Sequence, residues 1–161
     1  MSEVNFTDLV EESLRQAARS LTDERRDYIS SLVANSISSN DLKHFESKHL
    51  LRILGELNDI EIIWMRFYLD PIMGGDTDFR EKHDHVLNPV PAHSGSSQPE
   101  LDKSTLQNSY KEHLASLGLL EKEIEIDSSS RGGKLKTKGY RITSLGKILL
   151  REVGFCHERL R

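Results

Sequence analysis

The chain has 161 residues, with 22 Lys+Arg against 26 Asp+Glu, a formal net charge of −4, 36% hydrophobic and 30% charged residues. That length fits one domain with a helical extension, not two large independent cores, and periodic Leu, Ile and Phe exclude general disorder. No apolar run approaches the roughly 18 residues needed to span a bilayer, no basic-then-apolar leader opens the chain, and a lone cysteine, Cys156, excludes a disulfide framework or Cys-based zinc site, so a cytoplasmic protein is expected.

The first 69 residues read as helix. Residues 6–19 set Phe6, Leu9, Val10, Leu14 and Ala17 on one stripe, with Asp8, Glu11, Glu12 and Arg15 off it. Thr22 has the chemistry of an N-cap, and Asp23 and Glu24 follow where the helix dipole favours anions. Tyr28, Ile29, Leu32, Val33 and Ile37 then recur at three-to-four spacing. The polar run 38–40 caps a third helix from Asp41, which carries Phe45, His49, Leu50, Ile53, Leu54 and Leu57. Residues 58–69 include the run 60–69, apolar nearly all round and therefore buried on most faces; Pro71 closes it. Trp64, Met65, Phe67 and Tyr68 read as core within it. Glu56, Asp59 and Glu61 have the spacing to pair with Arg52 or Arg66.

Residues 70–101 hold all four prolines, the pair Gly74-Gly75 and the run His-Ser-Gly-Ser-Ser at 93–97. They predict a long irregular insertion with a short helix near 77–86. This stretch also carries His83, His85 and His93 among Asp76, Asp78 and Asp84, residue types that bind metals. With no His-x-x-x-His pair on a helix, the stretch reads as a solvated loop, and no metal or cofactor is expected. Cys156 beside His157 does not by adjacency make a thiolate–imidazole pair.

From residue 103 the pattern tightens. Leu106, Tyr110, Leu114 and Leu117 make a helical stripe over 103–117, and Gly118 stands where a left-handed C-cap is wanted. Leu120, Lys122, Ile124 and Ile126 alternate with Glu121, Glu123 and Glu125, which is strand periodicity. A turn-forming linker over 128–139 leads to a returning strand over 140–143. Thr143 or Ser144 caps a last helix with Leu145, Ile148, Leu149 and Val153 on its apolar side. The chain thus reads as mainly α with a small two-stranded antiparallel wing. It divides into an extension over 1–40, a domain over 41–155 and a tail over 156–161. The extension's amphipathic stripes suit a homodimer.

Charge is uneven along this order. Residues 1–101 hold 10 basic and 18 acidic side chains (−8), residues 102–152 hold 10 and 7 (+3), and residues 153–161 add +1. Within 128–151 there are seven basic residues and no acidic one, a pattern suited to an anion-binding end.

The phrase from Leu114 to Leu120, Leu-Ala-Ser-Leu-Gly-Leu-Leu, and the run from Ile142 to Leu150, Ile-Thr-Ser-Leu-Gly-Lys-Ile-Leu-Leu, resemble the recognition-helix end and closing helix of bacterial winged helix-turn-helix proteins. The resemblance covers about 50 residues and takes in the helix at 58–69 as part of a winged-helix-like domain. It departs from the family where 70–101 replaces the short helix before the recognition helix. It implies a non-enzymatic regulator of transcription that binds double-stranded DNA. Ser104, Gln107, Asn108 and Lys111 would face base edges, and Arg131, Lys134, Lys136, Lys138, Arg141 and Lys147 would contact phosphate, with Arg151 extending the patch. Glu112 on the reading face and the acidic strand suggest another outcome: an interaction module that keeps the fold and binds a protein partner.

Overall fold

The computed structural model describes residues 2–37, 41–71, 76–90, 92–127 and 134–155. Its helices are α1 (Ser2–Arg19), α2 (Asp23–Ile37), α3 (Asp41–Glu56), α4 (Asp59–Phe67), α5 (Thr77–Lys82), α6 (Asp84–Leu87), α7 (Gln98–Ser116) and α8 (Ser144–Glu152). Between α7 and α8, β1 (Leu120–Asp127) and β2 (Lys134–Ile142) form a two-stranded antiparallel sheet. The architecture is mainly helical with a small β wing, as the periodicities predict. No described helix is long and apolar enough to cross a membrane. Two compact units emerge, one of Met1–Asp59 with Ile148–Arg161 and one of Ile60–Lys147; α8 runs across the division.

In the first unit α1, α2 and α3 pack mutually, so α3, which the pattern grouped with the following domain, sits with the extension helices. Leu9, Ile29, Leu32, Leu51 and Leu54 are buried. Thr22 does cap α2: its Oγ1 accepts from Arg25 N at 3.2 Å and donates to Asp59 Oδ2 at 3.0 Å. Gln16 Nε2 reaches Leu51 O at 3.0 Å, tying α1 to α3. The end of α8 joins this unit through Asn35 Nδ2, which donates to Glu152 O at 3.1 Å. The Tyr28 and Phe155 rings meet at 5.3 Å. Leu14, Ile37 and Phe45, all placed on apolar stripes by spacing, are exposed instead. A stripe wider than its partner surface leaves its edge in solvent. The run 38–40, the tail from Cys156 and Gly74-Gly75 lie outside the described residues.

In the second unit α4 buries Ile62, Trp64 and Met65. It is locked to α5 by a reciprocal exchange: the Arg66 guanidinium lies 4.2 Å over Phe79, and that of Arg80 lies 4.9 Å over Phe67. Such stacks favour Arg, whose flat cation fits a ring face. The expected helix near 77–86 is present, broken at His83 into α5 and α6.

Two boundaries differ from expectation. α7 starts at Gln98 rather than 103, because Ser97 N and Oγ both donate to Glu100 Oε2, at 2.7 and 2.8 Å, in a capping box. Pro99 falls in the first turn, where a missing N–H costs nothing. β2 starts at Lys134 rather than 140, since β1 offers it a full ladder from Leu120↔Ile142 to Asp127↔Lys134. The ladder slips once: Glu123 faces Gly139 and Ile124 faces Thr137, so Lys138 is the extra residue of a bulge.

Candidate functional site

The residues expected to read or contact a polyanion fall on α7, the hairpin and the start of α8. Gly118, at φ 74, ends α7 in the left-handed region and turns the chain into β1. Thr143 is the residue that caps α8, its Oγ1 accepting from Gly146 N at 3.1 Å and donating to Gly118 O at 2.7 Å. One threonine thus ties the base of the hairpin to the end of α7.

On α7 the expected reading face is only partly available. Gln107 is 6% exposed, and Leu106, placed in the core by spacing, is 53% exposed. The stripe is kept at Leu114, which is fully buried, but nearer the start of the helix Gln107 takes the inward place expected of Leu106. The cause is hydrogen bonding: Gln107 Nε2 donates to Val86 O (3.0 Å) and Asn88 O (2.8 Å), while its Oε1 accepts from Val90 N (3.3 Å). The segment after α6 has backbone groups without a helical ladder, and an amide carries both the donors and the acceptor they need. Gln107, expected on the reading face, thus has its amide turned inward, where it clamps the segment after α6. Lys111 is also engaged, its Nζ 4.8 Å from the Trp64 ring centroid, and burial lowers its pKa. Asn108 is exposed and Ser104 half-buried.

Two of the basic residues of the hairpin, Arg141 and Lys138, are paired with its own acids. Arg141 binds Glu121 Oε1 through Nε at 2.8 Å and Nη2 at 2.7 Å, across a directly opposed strand pair. Lys138 lies 3.9 Å from Glu125. On the helix side, Lys122 Nζ is 2.5 Å from Glu112 Oε2, and Tyr140 donates its hydroxyl to Glu112 Oε1 at 2.6 Å. These two donors hold the Glu112 carboxyl below its usual range. Burial, and next the Glu112 carboxylate, push the Tyr140 hydroxyl up. Lys136 and Lys147 are exposed. Arg151 pairs with Glu152 at 3.1 Å. Arg131 lies outside the described residues, and Lys134 is described only as the first residue of β2.

The row that should face the core behaves differently along its length. Leu120 and its partner Ile142 are buried at the base. Further out, Ile124 is exposed, Ile126 is 68% exposed and its partner Leu135 73%. The hairpin outruns the core that its apolar row would need.

Two pairings escaped the sequence. Glu61, 3% exposed, accepts its contact from His113 Nδ1 at 2.6 Å across 52 positions; it was expected opposite an arginine of its own helix region. Asp59 likewise turns to Arg25 (3.8 Å) and Thr22. No sequence signal marks a partner so distant. In the His/Asp stretch, Asp76 caps α5 and pairs with Arg66 at 2.9 Å, and the His83 ring packs 4.7 Å from Phe79. Among the described residues no three His, Cys, Asp or Glu side chains converge on a point that could hold a metal.

No family model matches the chain, and no curated protein or solved structure shows significant similarity to it.

Proposed function

We propose that the chain works by binding rather than by catalysis, as a regulatory module of winged-helix type whose hairpin is a protein-interaction surface. The order α4, α5–α6, α7, β1, β2, α8 supports the winged-helix reading. The observation that carries the choice of partner is the wing itself. Its described arginine is neutralised across the strands, while Ile124, Ile126 and Leu135 stand uncovered beside one another. Of the described basic residues of the hairpin, Arg141 and Lys138 are held by Glu121 and Glu125, which leaves Lys136 for phosphate contact. An exposed, contiguous apolar row is what a protein partner buries.

Two variants of the full chain separate this from the DNA reading. Ile126→Lys with Leu135→Lys removes the apolar row; Lys136→Gln with Arg141→Gln removes wing charge. Partner capture is expected to be lost in the first and kept in the second. Random duplex DNA is expected to bind weakly to both. Tight DNA binding that falls steeply with salt, and disappears in the charge variant, would transfer the assignment to double-stranded DNA.

The helical unit supports a second copy of the chain as a further partner. Val10, Leu14, Ala17, Ile29, Val33 and Ile37 line a largely apolar groove of about 350 Å³ between α1 and α2. Twofold pairing through such a face is the commonest assembly of soluble chains.

A further inference from the structure

A different cleft in the helical unit, on α1, α2 and α3, has a volume of about 580 Å³ and is independent of the hairpin reading. Its walls include Arg19, Arg25, Lys48 and Arg52, with Glu12 and Asp59 at the side. Arg25 is committed to the fold: its guanidinium donates to Leu54 O and to Leu57 O, capping the end of α3. Lys48 lies 3.1 Å from Asp8. Arg19 and Arg52 differ from every other described arginine. Arg15, Arg25, Arg26, Arg66, Arg141 and Arg151 each face a carboxylate. Arg80 donates to Asp70 O and stacks on Phe67. Arg19 and Arg52 have no carboxylate partner among the described residues, and both line this one cleft.

Guanidinium groups without a carboxylate partner that line one concave surface add up to a local positive potential. Here they do so within a stretch, 1–101, that carries −8 overall. Paired N–H donors on a flat cation match the oxygens of a phosphate better than a point charge does. Gln16, whose Oε1 is buried with no hydrogen-bond donor among the described residues, lies along the same wall. Leu21 and Leu57 supply an apolar wall. The volume lies in the range of small-molecule sites, roughly 300–1,000 Å³.

We propose that this cleft binds a phosphate dianion, free or as the monoester of a small hydroxyl-bearing molecule, through Arg19 and Arg52. Calorimetric titration of the full chain with inorganic phosphate, with AMP and with adenosine, at constant ionic strength, tests it. Phosphate or AMP saturates one site per chain, and adenosine does not bind. AMP binding more tightly than phosphate identifies the monoester as the ligand form, and equal affinity identifies the free dianion. Arg19→Gln and Arg52→Gln each weaken binding by about tenfold. Both side chains are exposed and outside any ion pair, so the thermal midpoint without ligand stays near that of the parent, which checks folding. Failure of both phosphate and AMP to saturate, adenosine binding as tightly as AMP, or undiminished affinity in both variants would each overturn the proposal.

Discussion

Gly146 sits where α8 crosses the backbone that leaves α7. A Cβ on it would lie 2.5 Å from Leu119 O and 2.8 Å from Ile142 Cγ1. Leu119 O cannot move aside, because it accepts from Thr143 N at 3.0 Å at the base of the hairpin. Ala has the better helix propensity, by about 1 kcal/mol, but the overlap outweighs it. Gly146→Ala is expected to lower stability by about 2 kcal/mol, read in urea as a lower midpoint with an unchanged slope. A midpoint equal to or above the parent's would show that α8 shifts freely. At this scale the sequence is legible where chemistry is local. Thr22, Thr143 and Gly118 are readable as caps because each acts on a neighbour within a few positions. Gln107 and the Glu61–His113 pair are not, since their partners lie 17 to 52 positions away and only folding brings them together.

Among elements, the hairpin is the one whose contacts decide most. Its attachment to α4 runs through aromatic rings: Tyr68, just after α4, lies 6.2 Å from Trp64 and 6.2 Å from Tyr140 on β2. Burial pushes the Tyr68 hydroxyl from 10.0 up to about 12. The folded state therefore holds a proton that the unfolded chain releases at lower pH. This contribution is fully present below pH 10 and is lost as pH rises from 10 towards 12. Tyr68→Phe should flatten the fall in thermal midpoint across that window, the comparison cancelling the contribution of Lys111 and, apart from its coupling to Tyr68, that of Tyr140. An identical fall in parent and variant would mean that the phenol is as wet folded as unfolded. The existence of α7, β1 and the closing helix could be read from periodicity. The length of β2 could not: Lys134, Lys136, Lys138 and Gly139 have weak strand preference, and their conformation is set by pairing with β1. The start of α7 was hidden for a different reason, because Pro99 and the run before it resemble loop until the Ser97–Glu100 capping pair is seen.

For the whole molecule, the question is what covers the apolar surface that the chain's own helices leave open. α1 presents two apolar sides. Leu9 is fully buried, whereas Leu14 is 66% exposed and stands with Ile37, 62% exposed, on the groove of α1 and α2. The sequence shows the amphipathic stripes but not how many of their faces the chain can cover itself, because that depends on α3, whose place beside α1 and α2 no local pattern specifies. A second copy offering the same face would bury both exposed residues at once, and the net charge of −4 per chain is small enough not to oppose pairing at physiological salt. Sedimentation equilibrium at tens of micromolar is expected to give twice the chain mass for the parent. Leu14→Glu with Ile37→Glu should reduce it to the mass of one chain, because each carboxylate would have to be desolvated in the contact. Far-UV dichroism of the double variant should match the parent, since both positions are already in solvent. A parent that sediments as a single chain would leave the groove without a second copy, and a variant that stays dimeric would place the contact on another surface.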